Sequence, residues 1–497
     1  MSKIKKNLPL IAIILIALGI YKPALSNFFT HDDFFHFRIS QANSFKDFLQ
    51  FFSLTKAPSG WGFYRPLTTQ VFYYVGDNFF NSNPFLMHLV GFSLFIITIL
   101  LVYKLISHLI KNPTISYLAT FFYAVSATHF PHLYFIANQE LGHAVFFLTS
   151  LLFFIKFLKH PKLKTYLVSF LAFIAALMSK ELAILLPASL LLIYWLKKST
   201  KETSFSLKKI LLVLLPFFIT LTIYGYFHVF HYGLIQGDSY IWVFSPDTLL
   251  NTLFWYTLWS LNMPKMLLDF VGPGFHINPN LFAFWPKEIY SIFTLFILLI
   301  TSLLTLTIIS LKQLIKSKTT YLIALGWFIY SLLPVMFLPW HKFPDYLTLP
   351  LIGIVVILAK LLYQATQVLI KNNHHFFAKL IFILIPVLYL ALSLSTLNLV
   401  RKIDWITQGA KTSQRVFNYF NNNFSQLEKN IDVFFYDTPE DADLPWKPSD
   451  QLKIILSDNN FFSFFYHNKI TAHYVSSEDA TTDPKAIKIP ARKFLGY

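Results

Sequence analysis

The residues able to do chemistry in this chain are the few ionisable ones that stand at the ends of long apolar runs. Asp32 and Asp33 lie side by side, flanked by His31 and His36. A carboxylate can take a proton from a hydroxyl, and an adjacent like charge raises its pKa toward a useful base value. The pair serves equally well as a solvated loop or as caps for a helix starting near Phe34. With the two histidines it could hold a divalent cation, but without a wider ligand set no metal or cofactor is assigned. Arg65, in Tyr64-Arg65-Pro66-Leu67, offers either a bidentate grip on carboxylate or phosphate or a snorkel to the headgroup layer. Lys180-Glu181 sits between two apolar runs with almost no loop, so the two are either paired or put to use. His88 opens another run, Glu140 closes a short loop holding His129 and His132, and His341-Lys342 follow Trp340.

The elements that position these groups follow from composition. Of 497 residues, 55% are hydrophobic and 13% charged, with a mean hydropathy of +0.53; a soluble domain carries about a quarter charged residues. Apolar runs of about 17–25 residues recur, each long enough to cross about 30 Å of hydrocarbon as a helix. Unpaired backbone is not tolerated in lipid, and the alternation of a membrane barrel is absent. The reading is an all-α polytopic membrane protein. Its charge of +17 falls in short loops, where it orients the chain and meets anionic lipid. That argues for membrane lipids and against nucleic acid as partners. There is no cysteine, so no disulfide or thiol chemistry enters.

Placing Lys3, Lys5 and Lys6 on the cytoplasmic side of a retained first helix puts every strongly basic inter-helix cluster inside. About eleven spans result: 8–26, 85–106, 114–128, 141–158, 165–179, 182–196, 210–230, 289–311, 320–338, 346–366 and 380–399. The membrane domain is thus 1–399, with long external loops at 27–84 and 231–288. The half-apolar stretch 248–271 is read as interfacial or re-entrant. Residues 400–497 gain charge and lose spanning runs. They read as a small external α/β domain, with strands at 431–436 and 472–476 and a helix near 450–455. This topology puts Asp32, Asp33, Arg65, His88, Glu140, Lys180, Glu181, His341 and Lys342 on one outer face. Ionisable groups near bilayer depth cost about 2.5–3.5 kcal/mol each and tend to mark function where they occur.

An aspartate-bearing loop after the first helix, then Tyr64-Arg65-Pro66-Leu67, Asn83-Pro84-Phe85 with His88, and later Ser179-Lys180-Glu181 resembles the C-type (GT-C) membrane glycosyltransferases. Within them it is similar to the protein O-mannosyltransferase-like branch that includes the transmembrane tetratricopeptide-repeat mannosyltransferases. The resemblance covers about residues 8–350. It implies a polyprenyl- or dolichyl-phosphate sugar donor, an external acceptor that is a glycan, lipid or protein, and inversion at the anomeric carbon. It also implies that the base is an aspartate of the first external loop, here Asp33 or Asp32, with Asp33 preferred. Tyr64, Arg65, His88, Glu140, Lys180, Glu181, His341 and Lys342 then line the donor phosphate and substrate. Where relatives often carry an arginine before Tyr-Leu-x-Leu-Pro, this chain has Asp345 before Tyr346, so His341 or Lys342 must supply that cation. The loop 130–143 lacks the usual His-Pro and Gly-Arg elements, and the tail lacks tetratricopeptide repeats.

The chemistry suits the residue types. A lipid phosphate leaves as a stable anion, so one carboxylate can act as base while cations neutralise the departing group; glycosidases need a second carboxyl group to protonate their leaving group. A multi-pass flippase would show inverted repeats and mid-membrane polar groups, and a polysaccharide polymerase or ligase would be expected to use arginines in the loop 231–288. Neither feature is visible. The expectation is a hexosyltransferase of the cell membrane, moving a mannose-like sugar, with its N-terminus cytoplasmic and its tail domain external.

Overall fold

A computed structural model describes residues 3–59, 61–233, 237–424, 430–467, 469–480 and 486–496. The side chains of Lys3, Lys5 and Lys6, which anchor the topology in the sequence, lie outside the described residues. Each of the eleven apolar runs corresponds to a helix. Among the described residues eight helical stretches are long and apolar enough to cross a membrane, which makes this a multi-pass membrane protein. Pro113–Ala124, Leu163–Leu177 and Lys318–Leu332 are shorter than a full span. At 1.5 Å per residue they reach only about 18–22 Å, so "about eleven" counts the helices correctly and overstates how many are full-length. Pro246–Ser260, in the ambiguous stretch, has 15 residues and is as short as these.

The helices are layered by burial. Glu140–Lys159 and Leu351–Lys371 are 72% buried over their apolar windows and form the interior, whereas Pro286–Ile309 is 17% buried and faces outward. Glu140–Lys159 packs on Pro84–Ile110 and Leu163–Leu177, and Leu351–Lys371 packs on Pro113–Ala124, Lys318–Leu332 and His375–Ile403. In lipid no hydrophobic drive pulls helices together, so close approach at small residues does that work. Gly353 is the sharpest case, since a Cβ there would sit 2.2 Å from the Ala324 carbonyl oxygen.

The last spanning helix, His375–Ile403, ends where Asp404 turns extended (φ −68°, ψ 142°) and accepts the Ile406 N–H at 2.9 Å, capping the next helix, Trp405–Asn423. The tail then folds as a small α/β unit. Ile431–Tyr436 is the central strand of a parallel sheet, flanked by Ile470–Val475 and Ile487–Pro490, with helices Pro448–Ile455 and Asn460–Tyr466. The third strand and the two helices Trp405–Asn423 and Asn460–Tyr466 go beyond the sequence reading. The last spanning helix runs to Ile403 rather than to residue 399, and the tail's core is not its own. Phe29, Phe34, Phe37 and Tyr73 of the first loop share it with Val433, Phe435, Phe461 and Phe462.

Candidate active site

His31 precedes the short helix Asp32–Ile39 with φ 51° and ψ −118°, a conformation that costs a non-glycine residue roughly 1–3 kcal/mol. The tail domain supplies the contacts that hold it. The His31 N–H donates to the Ile455 carbonyl at 2.8 Å, and its ring meets Trp405 edge-on at 4.7 Å. Gly409 leaves the room required, since a Cβ there would lie 2.5 Å from Thr30 Oγ1 and 2.6 Å from the His31 ring. Below the loop Phe37 stacks on Phe464 at 4.0 Å and Phe34 meets Phe461 at 5.1 Å.

This geometry separates the two aspartates. Asp33 is 1% exposed, accepts the Thr30 N–H at 2.8 Å and takes a short hydrogen bond from the Tyr73 hydroxyl. Burial pushes its carboxyl up to about 7, with the Tyr73 and Thr30 donors pulling the other way. Asp32 is exposed to solvent yet set among enough protein for burial to raise its pKa, against the opposing charge of Arg65. His31 and His36 are pulled down to about 4 and about 3 by burial, so both are neutral. Among the described residues no group of three or more His, Asp or Glu side chains converges to hold a metal ion.

Arg65 is placed by its neighbours in sequence. Pro66 disfavours the α region for the residue before it, and Arg65 sits at φ −135°, ψ 54°. Leu67 N–H then donates to the Met178 carbonyl at 3.1 Å, and the Thr68 hydroxyl to the Ser179 carbonyl at 2.6 Å. Those two bonds bring the Tyr-Arg-Pro-Leu segment against Lys180-Glu181. Lys180 is extended (φ −162°, ψ 145°), which throws adjacent side chains to opposite sides. The neighbours therefore do not pair with each other. Arg65 grips Glu181 with two donors, Nε at 2.9 Å and Nη2 at 2.6 Å, and reaches Gln139 Oε1 at 3.1 Å. Lys180 makes a short ion pair with Glu140 and lies 4.7 Å from the Tyr346 ring centroid. Glu140 is the first residue of its helix, where a carboxylate is favoured by the unpaired N–H groups. An arginine has five N–H donors and a lysine three. Each cation thus keeps donors for a ligand oxygen after its ion pair is made.

Asp32, Arg65, Glu140, Lys180 and Glu181 therefore share one electrostatic neighbourhood, which also holds His341, Tyr240 and Tyr346. Three expected groups stand apart. His88 contacts the Asn27 carbonyl at 3.1 Å and props the loop from behind. Tyr64 is buried, with its hydroxyl donating to the Phe52 carbonyl at 3.2 Å. Lys342 turns away, donating to Asn251 Oδ1 at 2.5 Å. The cation expected from His341 or Lys342 is thus not supplied by either. Burial pulls His341 down to about 4, so it is neutral, with its ring tilted against Tyr240 at 4.2 Å and bonded to the Tyr346 hydroxyl at 2.8 Å. The sequence reading missed Tyr73, Gln139, Tyr240 and Tyr346; a tyrosine gives no signal in a chain with 26 of them.

Residues 65–224 match the family model described as dolichyl-phosphate-mannose-protein mannosyltransferase. The match starts at Arg65 and takes in Glu140, Lys180 and Glu181. Among solved structures, the chain is similar to the Archaeoglobus fulgidus oligosaccharyltransferase solved with Zn and sulfate, at 13% identity and a TM-score of 0.46, over 93% of this chain and 62% of that one. The chain thus spans about 62% of that protein's length. It is also similar to ArnT from Cupriavidus metallidurans bound to undecaprenyl phosphate, at 12% identity and a TM-score of 0.44, over 94% of this chain and 90% of that one. No curated protein matches.

Proposed function

We propose that this protein transfers a hexose from a polyprenyl-phosphate donor to an acceptor hydroxyl, on the outer face of the cell membrane, in a single inverting displacement. The acceptor oxygen attacks the anomeric carbon, and its proton passes to Asp32. The bond from the anomeric carbon to the phosphate oxygen breaks, and its electron pair leaves with the polyprenyl phosphate. The spare N–H donors of Arg65 and Lys180 meet that phosphate, so no acid is needed to protonate it. Asp33 does not reach substrate. It ties Thr30 and Tyr73 together and fixes the start of the helix from which Asp32 projects.

The observation that carries this reading is the contrast between the neighbours: Asp32 open to solvent and in the field of Arg65, Asp33 buried with both oxygens engaged. The preference for Asp33 read from sequence therefore moves to Asp32. A raised carboxyl pKa suits a base, because proton transfer is most efficient when the pKa approaches the working pH. The family match over 65–224 supports the lipid-phosphate donor class. The reading is tested by incubating purified protein with a panel of polyprenyl-phosphate hexoses and following release of polyprenyl phosphate. Release with one or more sugars supports it; no release across the panel, with and without added cell-envelope acceptors, counts against it.

A further inference from the structure

The far end of the bundle holds two adjoining cavities that the proposed reaction does not use. Glu140–Lys159 begins at the candidate site and ends at Lys159, about 30 Å away at 1.5 Å per residue. Around that end lies a recess of about 460 Å³ lined by Lys111, Lys156, Lys159, Lys197, His108 and Glu202. Sharing Lys197 and Glu202 with it is a larger chamber of about 530 Å³, within the range of about 300–1,000 Å³ common for ligand sites. Its walls are largely apolar, with Leu105, Ile106, Ile193, Ile323 and Val356 among them.

Charge in this region is unbalanced. Five lysines line the two cavities against one glutamate, and Glu202 already pairs with Lys111 at 3.0 Å and Lys197 at 3.2 Å. Lys360 is left over. It is 9% exposed and lines the chamber, and among the described residues no hydrogen bond or ion pair is made by its ammonium. Its nearest ring is Tyr321, 5.2 Å from the centroid. One turn on, Gln364 is tied to Ser317 Oγ at 2.9 Å and Tyr321 Oη at 2.7 Å. Ser317 immediately precedes the helix Lys318–Leu332, so Lys360 sits about one turn inside that helix end. A buried ammonium costs several kcal/mol without an anion, and basic pockets between membrane helices on the lysine-rich side suit lipid phosphates.

We infer that this chamber is a binding site for an anionic glycerophospholipid of the leaflet on the basic face. One acyl chain lies in the apolar chamber, and the phosphate is held by Lys360 at the rim and drawn in by the recess lysines. No residue of the candidate site lines this chamber, and a phosphate held there takes no part in transfer. The site is separate from the donor site, and its test does not depend on the sugar reaction.

The test is native mass spectrometry of the full chain released from phosphatidylcholine nanodiscs doped with phosphatidylglycerol. The wild type is expected to retain phosphatidylglycerol in preference to phosphatidylcholine. Lys360→Gln should lower that occupancy about fivefold, Lys360→Arg should keep it, and Ile323→Trp, which narrows the chamber, should lower it. Equal retention of the two lipids by the wild type overturns the inference without reference to any variant. So does unchanged preference in Lys360→Gln, or preferential retention of an added polyprenyl phosphate over phosphatidylglycerol.

Discussion

Removing the guanidinium of Arg65 tests whether the site is built on buried ion pairs. Arg65 is 8% exposed in its side chain and Glu181 27%, and two donors bridge them at 2.6 and 2.9 Å. Breaking a buried pair from one side costs about 3–5 kcal/mol, because the partner is left charged and unpaired. The quarter of Glu181 that water reaches lowers this to about 3 kcal/mol for Arg65→Met. The loss of the contact with Phe63, 3.9 Å below the guanidinium, adds about 0.5–1 kcal/mol. Glu181→Leu should cost about as much, since it strands a more deeply buried arginine. The double variant replaces both charges by apolar groups, and such replacements are close to neutral. Its cost should therefore be lower than that of either single variant, a shortfall of at least about 3 kcal/mol from the summed single costs. A double-mutant cycle in mixed detergent micelles measures this coupling through reversible unfolding. Additive costs within about 0.5 kcal/mol would refute the reasoning that the pair is a coupled, desolvated unit.

Three further outcomes follow from other parts of the molecule. Gly409→Val should leave the chain folded but displace Thr30 and His31, cutting sugar transfer by more than tenfold in a membrane assay. Gly353→Ala should destabilise by about 1–3 kcal/mol, seen as a lower melting temperature, because the Ala324 carbonyl oxygen occupies the space a Cβ needs. Asp33, raised from 3.8 to about 7, makes the folded state hold a proton that the unfolded chain has already lost. Its stabilising contribution is therefore full below about pH 4, falls as pH rises to about 7 and is level above that, by about 4 kcal/mol in all. Melting profiles against pH should show this slope in the wild type and a flatter one in Asp33→Asn.

The helices were legible because lipid forces it: an apolar run of sufficient length has no other stable conformation. Their shortness was less legible, since Pro113 and Lys318 start helices that end after 12 and 15 residues while apolar residues continue beyond. The members of the candidate site were mostly visible as charges at helix ends, but their partners were not. Lys180 and Glu181 are neighbours in sequence and bond to Glu140 and Arg65, because extended backbone separates them. Lys342 and His341 drew notice by charge type and place, yet the Asn251 side-chain oxygen and the Tyr240 ring absorb them. The tail's role was also hidden. Phe29, Phe34 and Phe37 lie some 430 residues from Phe461 and Phe464, and no local period in an eight-residue helix predicts such a contact.

Asp32→Asn and Asp33→Asn, compared side by side for release of polyprenyl phosphate by purified protein, test the central claim most directly. The account predicts that Asp32→Asn abolishes transfer in a protein that melts like the wild type, whereas Asp33→Asn retains measurable transfer with altered stability. Full transfer by Asp32→Asn, or selective loss in Asp33→Asn with stability unchanged, would contradict it.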